Sequence, residues 1–206
     1  MFYAVRIPNW FIHFNRSCVW KIPSAEKIIY LTFDDGPHET ETPFVLDQLK
    51  KYNAKATFFC IGKNVNTHPG IYKRILEEGH ATGNHTHNHL NGWKVDKEIY
   101  INDVNKAARF IDSKLFRPPY GKVSFRASKM LRLQSGYKII MWHVLSGDFD
   151  NTITPQQCLK NVLNNAGAGS VVVFHDSEKA SASLRFALPG VLDQFSEKGF
   201  QFKAII

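Results

Sequence analysis

From residue 28 onward, short apolar runs alternate with longer amphipathic stretches. The apolar runs have the length of strands, and the amphipathic stretches have the length and periodicity of helices. Strands that alternate with helices pair in parallel, because a parallel neighbour is reached only through a crossover connection. The sequence therefore predicts an α/β fold with seven strands, at residues 28–33, 56–61, 81–84, 115–117, 137–142, 170–174 and 200–205.

Helices are predicted in the intervals between these strands. Seven strand–helix units can close into a barrel or form an open sheet, and the alternation alone leaves both arrangements open. In either arrangement, functional groups are expected just beyond the carboxyl ends of the strands. The predicted helices cover residues 42–52, 64–78, 96–112, 124–134, 155–166 and 181–198.

Composition places the chain among ordinary globular proteins, and its length favours one domain. Apolar residues make up 44% and charged residues 21% of the 206 residues, which is not typical of a disordered or fibrous chain. At roughly 150 residues per domain, there is no room for a second full-sized domain. No apolar run approaches the roughly 18 residues that span a bilayer, so no integral membrane segment is predicted.

The net charge is +8, from 26 Lys and Arg against 18 Asp and Glu, and it favours anionic polymers or surfaces. The basic residues form no run of five or six, and no nucleic-acid-binding module is recognisable, so no nucleic-acid partner is predicted. The three cysteines, Cys18, Cys60 and Cys158, are odd in number and far apart, which predicts free thiols. The sequence leaves the oligomeric state open.

The first twenty residues lack the continuous apolar core of a secretory signal. Arg6, His13 and Arg16 interrupt their apolar residues. The sequence as written therefore predicts a cytoplasmic protein, whereas a trimmed start would leave an extracytoplasmic location open.

Two adjacent carboxylates, Asp34 and Asp35, follow the first predicted strand and precede Gly36 and Pro37. A single Asp-Gly pair is most often a turn. Two acids at the end of a buried strand, however, need a cationic partner. Successive side chains of an extended segment point to opposite sides, so we expect one acid to bind a cation and the other to transfer a proton.

Three histidines, His85, His87 and His89, follow the third predicted strand. The i, i+4 spacing of His85 and His89 predicts that both imidazoles lie on one side of a helical turn, where they can share a metal ion at Zn–N distances of about 2.0–2.1 Å. The alternative is a solvated polar loop. Two histidines and one carboxylate leave open coordination positions, which is typical of a catalytic site. His87 points elsewhere in this geometry, and we expect it to be exposed.

Further polar residues stand at the ends of later strands. Arg117 follows the fourth predicted strand, Asp148 lies beyond the fifth, and His175 follows the sixth. An isolated charged residue is usually a solvated surface group. Because five strand ends carry such residues together, the sequence predicts one site at that edge of the sheet.

Five motifs follow one another along the chain. Residues 32–36 read Thr-Phe-Asp-Asp-Gly, residues 85–89 read His-Thr-His-Asn-His, and residues 117–121 read Arg-Pro-Pro-Tyr-Gly. Residues 145–149 read Leu-Ser-Gly-Asp-Phe and residues 173–175 read Val-Phe-His. In this order they resemble the motifs of the polysaccharide deacetylases, the NodB-like carbohydrate esterases.

The resemblance implies a distorted (β/α)₇ barrel of mostly parallel strands. It implies a catalytic domain over residues 28–206, with residues 1–27 as an N-terminal extension that packs on the barrel. It further implies that Asp35, His85 and His89 hold a divalent metal, with zinc expected first and cobalt or nickel as alternatives.

Catalytic roles also follow from the resemblance. Asp34 is implied as the general base, Arg117 as its charge partner and His175 as the general acid. Asp148 is implied to keep His175 oriented and protonated. The backbone N–H of Tyr120 is implied as a donor to the oxyanion.

The fourth and fifth motifs depart from the family pattern. The family commonly reads Asp-x-x-Asp-Trp, where this chain has Leu145 and Phe149, and Leu-x-His, where this chain has Val173. Phe149 and Val173 keep an apolar wall for the acetyl methyl group, so we expect a substrate pocket of altered shape and retained activity. His143 adds an imidazole just after the fifth predicted strand, and the sequence does not assign it a role.

The resemblance implies a hydrolase that removes N-acetyl groups from the amino sugars of an acetylated glycan and releases acetate. Peptidoglycan and chitin-type glycans are the candidate substrates, and the net charge favours the anionic peptidoglycan mildly. Two alternatives are an O-acetyl esterase acting on xylan-type glycans and a catalytically inactive carbohydrate-binding homologue.

Overall fold

A computed structural model describes residues 3–206. Within these residues the chain forms one sheet of eight strands, with α-helices between most of them. The strands are β1 (Ile28–Asp34), β2 (Thr57–Cys60), β3 (Ala81–Asn84), β4 (Leu115–Phe116), β5 (Lys138–Ile139), β6 (Val144–Leu145), β7 (Val171–His175) and β8 (Gln201–Phe202).

Eight α-helices are present in the described part of the chain, together with two 3₁₀ turns at Pro119–Gly121 and Glu178–Ala180. The helices are α1 (Asn9–Phe14), α2 (Glu41–Lys51), α3 (Gly62–Thr67), α4 (Pro69–Glu77), α5 (Lys97–Ala107), α6 (Phe125–Leu133), α7 (Pro155–Leu163) and α8 (Ser181–Glu197). Among residues 3–206, no helix combines the length and apolar character that crossing a membrane requires.

The strands lie in the order β5–β4–β3–β2–β1–β7–β6, and β8 pairs with β1. Every pairing between these strands is parallel. In the register of β1 and β7, Asp34 lies opposite His175. The predicted α/β barrel of parallel strands is confirmed, and the carboxyl ends of its strands meet at one edge.

Alternate residues of β1 face different surroundings. Ile29, Leu31 and Phe33 are fully buried in the large apolar core, which also contains residues of α2, α7 and α8. Thr32 and Asp34 point to the other side, where both meet the side chain of Arg117. The two-residue period of the strand therefore places Asp34 in the barrel interior.

The N-terminal segment forms backbone hydrogen bonds with the sheet. The N–H of Val19 donates to the carbonyl of Ile139 at 2.8 Å, and the N–H of Met141 donates to Val19 at 2.7 Å. The N–H of Ile22 donates to Gly169, just before β7, at 2.9 Å. The edge strand of a sheet exposes unpaired backbone N–H and C=O groups. At the β5 edge, the N-terminal segment bonds to such groups of Ile139 and Met141.

Three predicted elements differ from the structure, and one of them is the predicted strand at 200–205, which shrinks to the two-residue β8. The predicted helix at 64–78 is broken into α3 and α4 at His68 and Pro69, because proline disfavours helical backbone in the residue before it. The predicted strand at 137–142 shrinks to β5, and the two-residue β6 follows it without having been predicted. The six-residue α1 was also missed, because so short a helix has little periodicity to detect.

Trp20 anchors the N-terminal segment to the rest of the molecule. It is 8% exposed, and its ring packs edge-on against Phe11 and Trp142. Its Nε1 donates to the backbone carbonyl of Asn15 at 3.1 Å. The segment thus contributes a large buried aromatic side chain to the core.

We predict that Trp20→Ala lowers the free energy of unfolding by about 3–5 kcal/mol, because it removes a buried indole and leaves a cavity. Chemical denaturation measures the change. Trp10→Ala is the matched control, since Trp10 is 67% exposed, and it should alter stability by no more than about 0.5 kcal/mol. Equal effects of the two substitutions would contradict the packing described for Trp20.

Candidate active site

The guanidinium of Arg117 is fully buried in the barrel interior. Its Nη1 donates to Asp34 Oδ1 at 2.6 Å and to Thr32 Oγ1 at 2.8 Å. Its Nη2 and Nε donate to the carbonyls of Met141 and Ile140, at 2.9 and 3.2 Å. Breaking a buried ion pair by removing one partner typically costs about 3–5 kcal/mol. These contacts therefore fix the position of the Asp34 carboxylate.

The ring of Phe59 lies against the same guanidinium, with the Arg117 Cζ atom 4.1 Å from the ring centroid. A planar cation over an aromatic face is attracted by the ring quadrupole. Burial lowers the pKa of Arg117, but a guanidinium stays protonated in proteins. The interior of the barrel thus holds a fixed positive charge beside Asp34.

Asp35, His85 and His89 converge next to this pair. One ligand atom from each residue lies within 4.8 Å of the others. Asp35 Oδ1 is 3.6 Å from His85 Nε2 and 3.1 Å from His89 Nε2. The structure therefore brings together the three residues that the sequence predicted as metal ligands.

The backbone holds the ligands in an unusual conformation. Asp35 has φ 81°, Thr86 has φ 64° and His89 has φ 55°. Such left-handed backbone is uncommon for residues other than glycine and clusters at functional sites. In the loop after β3, Thr86 N–H donates to Asn84 Oδ1, and Leu90 N–H donates to Thr86 Oγ1. These bonds hold the loop in the shape that turns both imidazoles toward Asp35.

The chemistry of this group fits a metal ion. Asp35 Oδ1 is buried and makes no hydrogen bond within residues 3–206, although His89 Nε2 is in contact with it. His85 Nδ1 lies 2.7 Å from the Arg117 carbonyl. Because a carbonyl can only accept, Nδ1 carries the proton, which leaves the Nε2 lone pair directed at Asp35. Metal-ligating histidines are oriented by such a second hydrogen bond.

The protonation states agree with a ligand role. Burial lowers the pKa of His85 to about 4, so its imidazole is neutral near pH 7. Burial alone would raise the pKa of Asp35, but its contact with His89 and the positive charge of His175 lower it overall. A neutral imidazole and an ionised carboxylate are the forms that bind a metal.

His175 and Asp148 form a second pair at the same edge. His175 Nδ1 donates to Asp148 Oδ1 at 2.8 Å, and the backbone N–H of His175 donates to Asp148 Oδ2 at 2.7 Å. Burial alone would lower the pKa of His175, but Asp148, Asp35 and Asp34 raise it to about 9. The imidazolium form therefore prevails at neutral pH.

The three residues predicted to contact substrate lie in different environments. Tyr120 is 54% exposed and its ring centroid is 4.6 Å from that of His89. The ring of Phe149 packs edge-on against His175 at 5.1 Å. Val173 is on the same face of β7 as His175 but is 1% exposed, so it belongs to the barrel interior.

Comparison with known proteins identifies the family. A family model described as polysaccharide deacetylase matches residues 21–139. The chain belongs to the polysaccharide deacetylase family. This confirms the predicted family and the predicted class of enzyme, a hydrolase that acts on linear amide bonds.

Relatives that are named as deacetylases cover most of this chain. A peptidoglycan-N-acetylglucosamine deacetylase of Bacillus cereus is 36% identical in an alignment of 193 positions that covers 90% of this chain and 90% of the relative. The peptidoglycan-N-acetylglucosamine deacetylase PgdA of Listeria monocytogenes is also 36% identical, but the chain spans only 40% of its length. The crystal structure of the Bc1960 peptidoglycan N-acetylglucosamine deacetylase has a TM-score of 0.86, with 32% identity, covering 97% of this chain and 95% of that one.

Two further histidines noted in the sequence, His87 and His143, lie outside the metal group of this deacetylase. His87 is 6% exposed and stacks on Phe110, so the expectation that it is exposed was wrong. The cause is Asp103 on α5, whose Oδ2 accepts the backbone N–H groups of His87 and Asn88, each at 2.9 Å. His143 is 2% exposed and bonds to Ser170 Oγ at 2.9 Å.

Asp176 is a site residue of the deacetylase to which sequence analysis gave no role. It is fully buried, its Oδ1 accepts the backbone N–H of Gly36 at 3.1 Å, and its Oδ2 accepts the Thr42 hydroxyl. Burial raises its pKa to about 8. A Cβ atom at Gly36 would lie 2.1 Å from Asp176 Oδ2, so the glycine that follows the two acids is required by this contact. Asp176 directly follows His175, the last residue of the fifth motif, and this position was the signal for it in the sequence.

We predict that Asp148→Asn lowers the pKa of His175 by about 1–3 pH units, because it removes the adjacent negative charge. Proton-detected NMR titration of the metal-free protein measures this pKa. Asp150→Asn, on the same loop, serves as the control and should leave the pKa of His175 within about 0.5 pH units of the starting value. An unchanged pKa in Asp148→Asn would show that another group holds the proton on His175.

Proposed function

We propose that this chain is a metal-dependent deacetylase that hydrolyses the N-acetyl groups of amino sugars in peptidoglycan and releases acetate. The observation that carries the proposal is the buried Asp35 Oδ1, which faces two imidazole nitrogens and has no hydrogen-bond donor among the described residues. The relatives named as peptidoglycan-N-acetylglucosamine deacetylases support the substrate class. The charge of +8 suits an anionic glycan.

Asp35, His85 and His89 would hold the metal. One carboxylate and two imidazoles suit zinc, and cobalt or nickel accept the same ligands. When bound, the cation would polarise the acetyl carbonyl and make water easier to deprotonate. The three ligands leave coordination positions open for substrate and water, as a catalytic site requires.

Asp34 acts as the general base in this proposal. Arg117 holds its Oδ1, which directs the remaining carboxylate oxygen to a proton of the attacking water. The guanidinium places a fixed positive charge beside the Asp34 carboxylate before substrate binds. After the proton transfer, the same guanidinium keeps the neutral acid in place.

His175 acts as the general acid. An amide nitrogen is a poor leaving group unless it is protonated. His175 Nδ1 is bonded to Asp148, so the proton on Nε2 is the one available for transfer. Asp34 and His175 lie opposite each other on β1 and β7, which lets base and acid reach the two ends of one scissile bond. The N–H of Tyr120 is proposed as the donor to the oxyanion.

Two alternatives make different demands on the site. An O-acetyl esterase acting on xylan-type glycans releases an alkoxide, which needs less help from an acid than an amine does. A catalytically inactive carbohydrate-binding homologue has no use for a complete set of base, acid and ligands, and this chain keeps all of them. Assembled peptidoglycan lies outside the cytoplasmic membrane. We therefore propose an extracytoplasmic location, which the sequence left open.

We predict that exhaustive chelation abolishes acetate release, because Asp34 then faces water whose proton is too tightly held. Acetate is measured over peptidoglycan, chitopentaose and acetylxylan, before and after adding back zinc or cobalt. Activity should return with either metal and should be highest on peptidoglycan. Full activity after chelation, in protein whose metal content is confirmed as nil, would reject the metal-dependent mechanism.

We predict that His175→Ala lowers kcat for N-acetyl glycans by about 10²–10⁴-fold, the usual worth of a positioned acid. Hydrolysis of an aryl acetate, whose leaving group needs no proton, should fall by less than about tenfold. His13→Ala, which removes an exposed imidazole on α1, is the control and should leave both rates unchanged. Equal losses for the amide and the ester would contradict the role of His175 as acid to the nitrogen.

A further inference from the structure

Three large aromatic side chains are exposed on the chain segments after His89 and after Arg117: Trp93 lies four residues after His89, Tyr120 is in the 3₁₀ turn, and Phe125 begins α6. Trp93 is 67%, Tyr120 is 54% and Phe125 is 82% exposed. We call these three residues the aromatic rim. Large exposed aromatic rings grouped in one place mark interaction surfaces more often than isolated ones do. The rim is therefore suited to a ligand that stacks against flat, amphipathic rings.

The rim has a built framework. Gly92 N–H donates to the carbonyl of Lys122 at 3.1 Å, and Trp93 Nε1 donates to the carbonyl of Val123 at 3.3 Å. Gly92 and Val123 also form an isolated parallel β-bridge. The loop that follows His89 and the loop that carries Tyr120 are thereby joined into one surface.

The indole of Trp93 is held with one face toward a cation. Lys122 Nζ lies 5.2 Å from the centroid of the Trp93 ring, within the range of a cation–π interaction. Together with the Nε1 hydrogen bond, this contact restricts the rotation of an exposed ring before any ligand arrives. A restricted ring loses less entropy when it binds.

The rim is continuous with the metal group. The Tyr120 ring packs on His89, a proposed ligand, at 4.6 Å between centroids. Trp93 follows His89 by four residues, a span of at most about 14 Å of extended chain. A glycan whose acetyl group lies at Asp35, His85 and His89 extends over neighbouring sugars within that distance.

We propose that Trp93 binds the sugar next to the one that is deacetylated, by stacking the indole on the apolar face of its ring, and that Lys122 binds a carboxylate on the same glycan. This inference rests on the proposed function. A pyranose presents C–H groups on its face and hydroxyl groups at its edge, which matches an amphipathic aromatic side chain. The cation beside the ring gives a preference for glycans that carry acidic substituents.

The test is calorimetric binding to the metal-free protein, which has no turnover to confuse the measurement. The ligands are a soluble peptidoglycan tetrasaccharide that keeps its acidic groups, and neutral chitotetraose. Trp93→Ala should raise Kd for both ligands about tenfold. Lys122→Gln should raise Kd about threefold for the acidic ligand only, since it removes a charge at the surface.

Two further variants separate stacking from loop structure. Trp93→Phe keeps an aromatic face and lacks the Nε1–H that bonds to Val123, so it should bind within about threefold of the unsubstituted protein. Trp10→Ala removes an equally exposed indole, at 67%, from α1 and should not change Kd. Loss of affinity in Trp93→Phe as large as in Trp93→Ala, or unchanged affinity in Trp93→Ala, would overturn the proposal.

A separate assay distinguishes this inference from the proposed function. Zinc-loaded protein is given an aryl acetate, which is too small to reach Trp93. Trp93→Ala should keep full activity on it while its KM for the acidic tetrasaccharide rises about tenfold. If the unsubstituted protein releases acetate from neither substrate, the proposed function fails, whereas the calorimetric result still decides the role of Trp93.

Discussion

A buried guanidinium inside the barrel organises both halves of the site. The side chain of Arg117 bonds to the Asp34 carboxylate, and its backbone carbonyl accepts the Nδ1 proton of His85. One residue therefore fixes the proposed base through its side chain and a proposed metal ligand through its main chain. Such a charge is stable in the interior only when hydrogen bonds surround it. Thr32 on β1 and the consecutive residues Ile140 and Met141, just after β5, supply them.

The sheet distributes opposite charges along one edge. Asp34 lies beside the guanidinium, whereas His175 is opposite on the neighbouring strand and keeps its proton because Asp148 is bonded to it. Base and acid chemistry at one pH requires titratable groups whose environments separate their protonation states. Here strand register places the proposed base and acid opposite each other on neighbouring strands, and two buried ion pairs orient them, so the arrangement is built into the fold before substrate binds.

Much of this arrangement was predictable from the sequence, because parallel strands bring their carboxyl ends to one edge. Asp34, Asp35 and His175 lie directly at strand ends. His85 and His89 also follow a strand end, but left-handed backbone at Thr86 and His89, and not a helical turn, brings both imidazoles to Asp35. What sequence could not predict depends on contacts between distant segments. His87 is buried because a carboxylate sixteen residues later accepts its backbone N–H. The role of Asp176 depends on a glycine 140 residues earlier, and the two-residue β6 has too little periodicity to detect.

The proposed chemistry requires Asp35, His85 and His89 to bind one metal ion together. Anomalous X-ray diffraction at the zinc absorption edge, from crystals grown with one equivalent of zinc, tests this directly. If the three residues share one ion, the anomalous difference map should show a single strong peak about 2.0–2.2 Å from one side-chain nitrogen or oxygen atom of each residue. A peak at another place, or no peak at these residues when zinc is saturating, would contradict it.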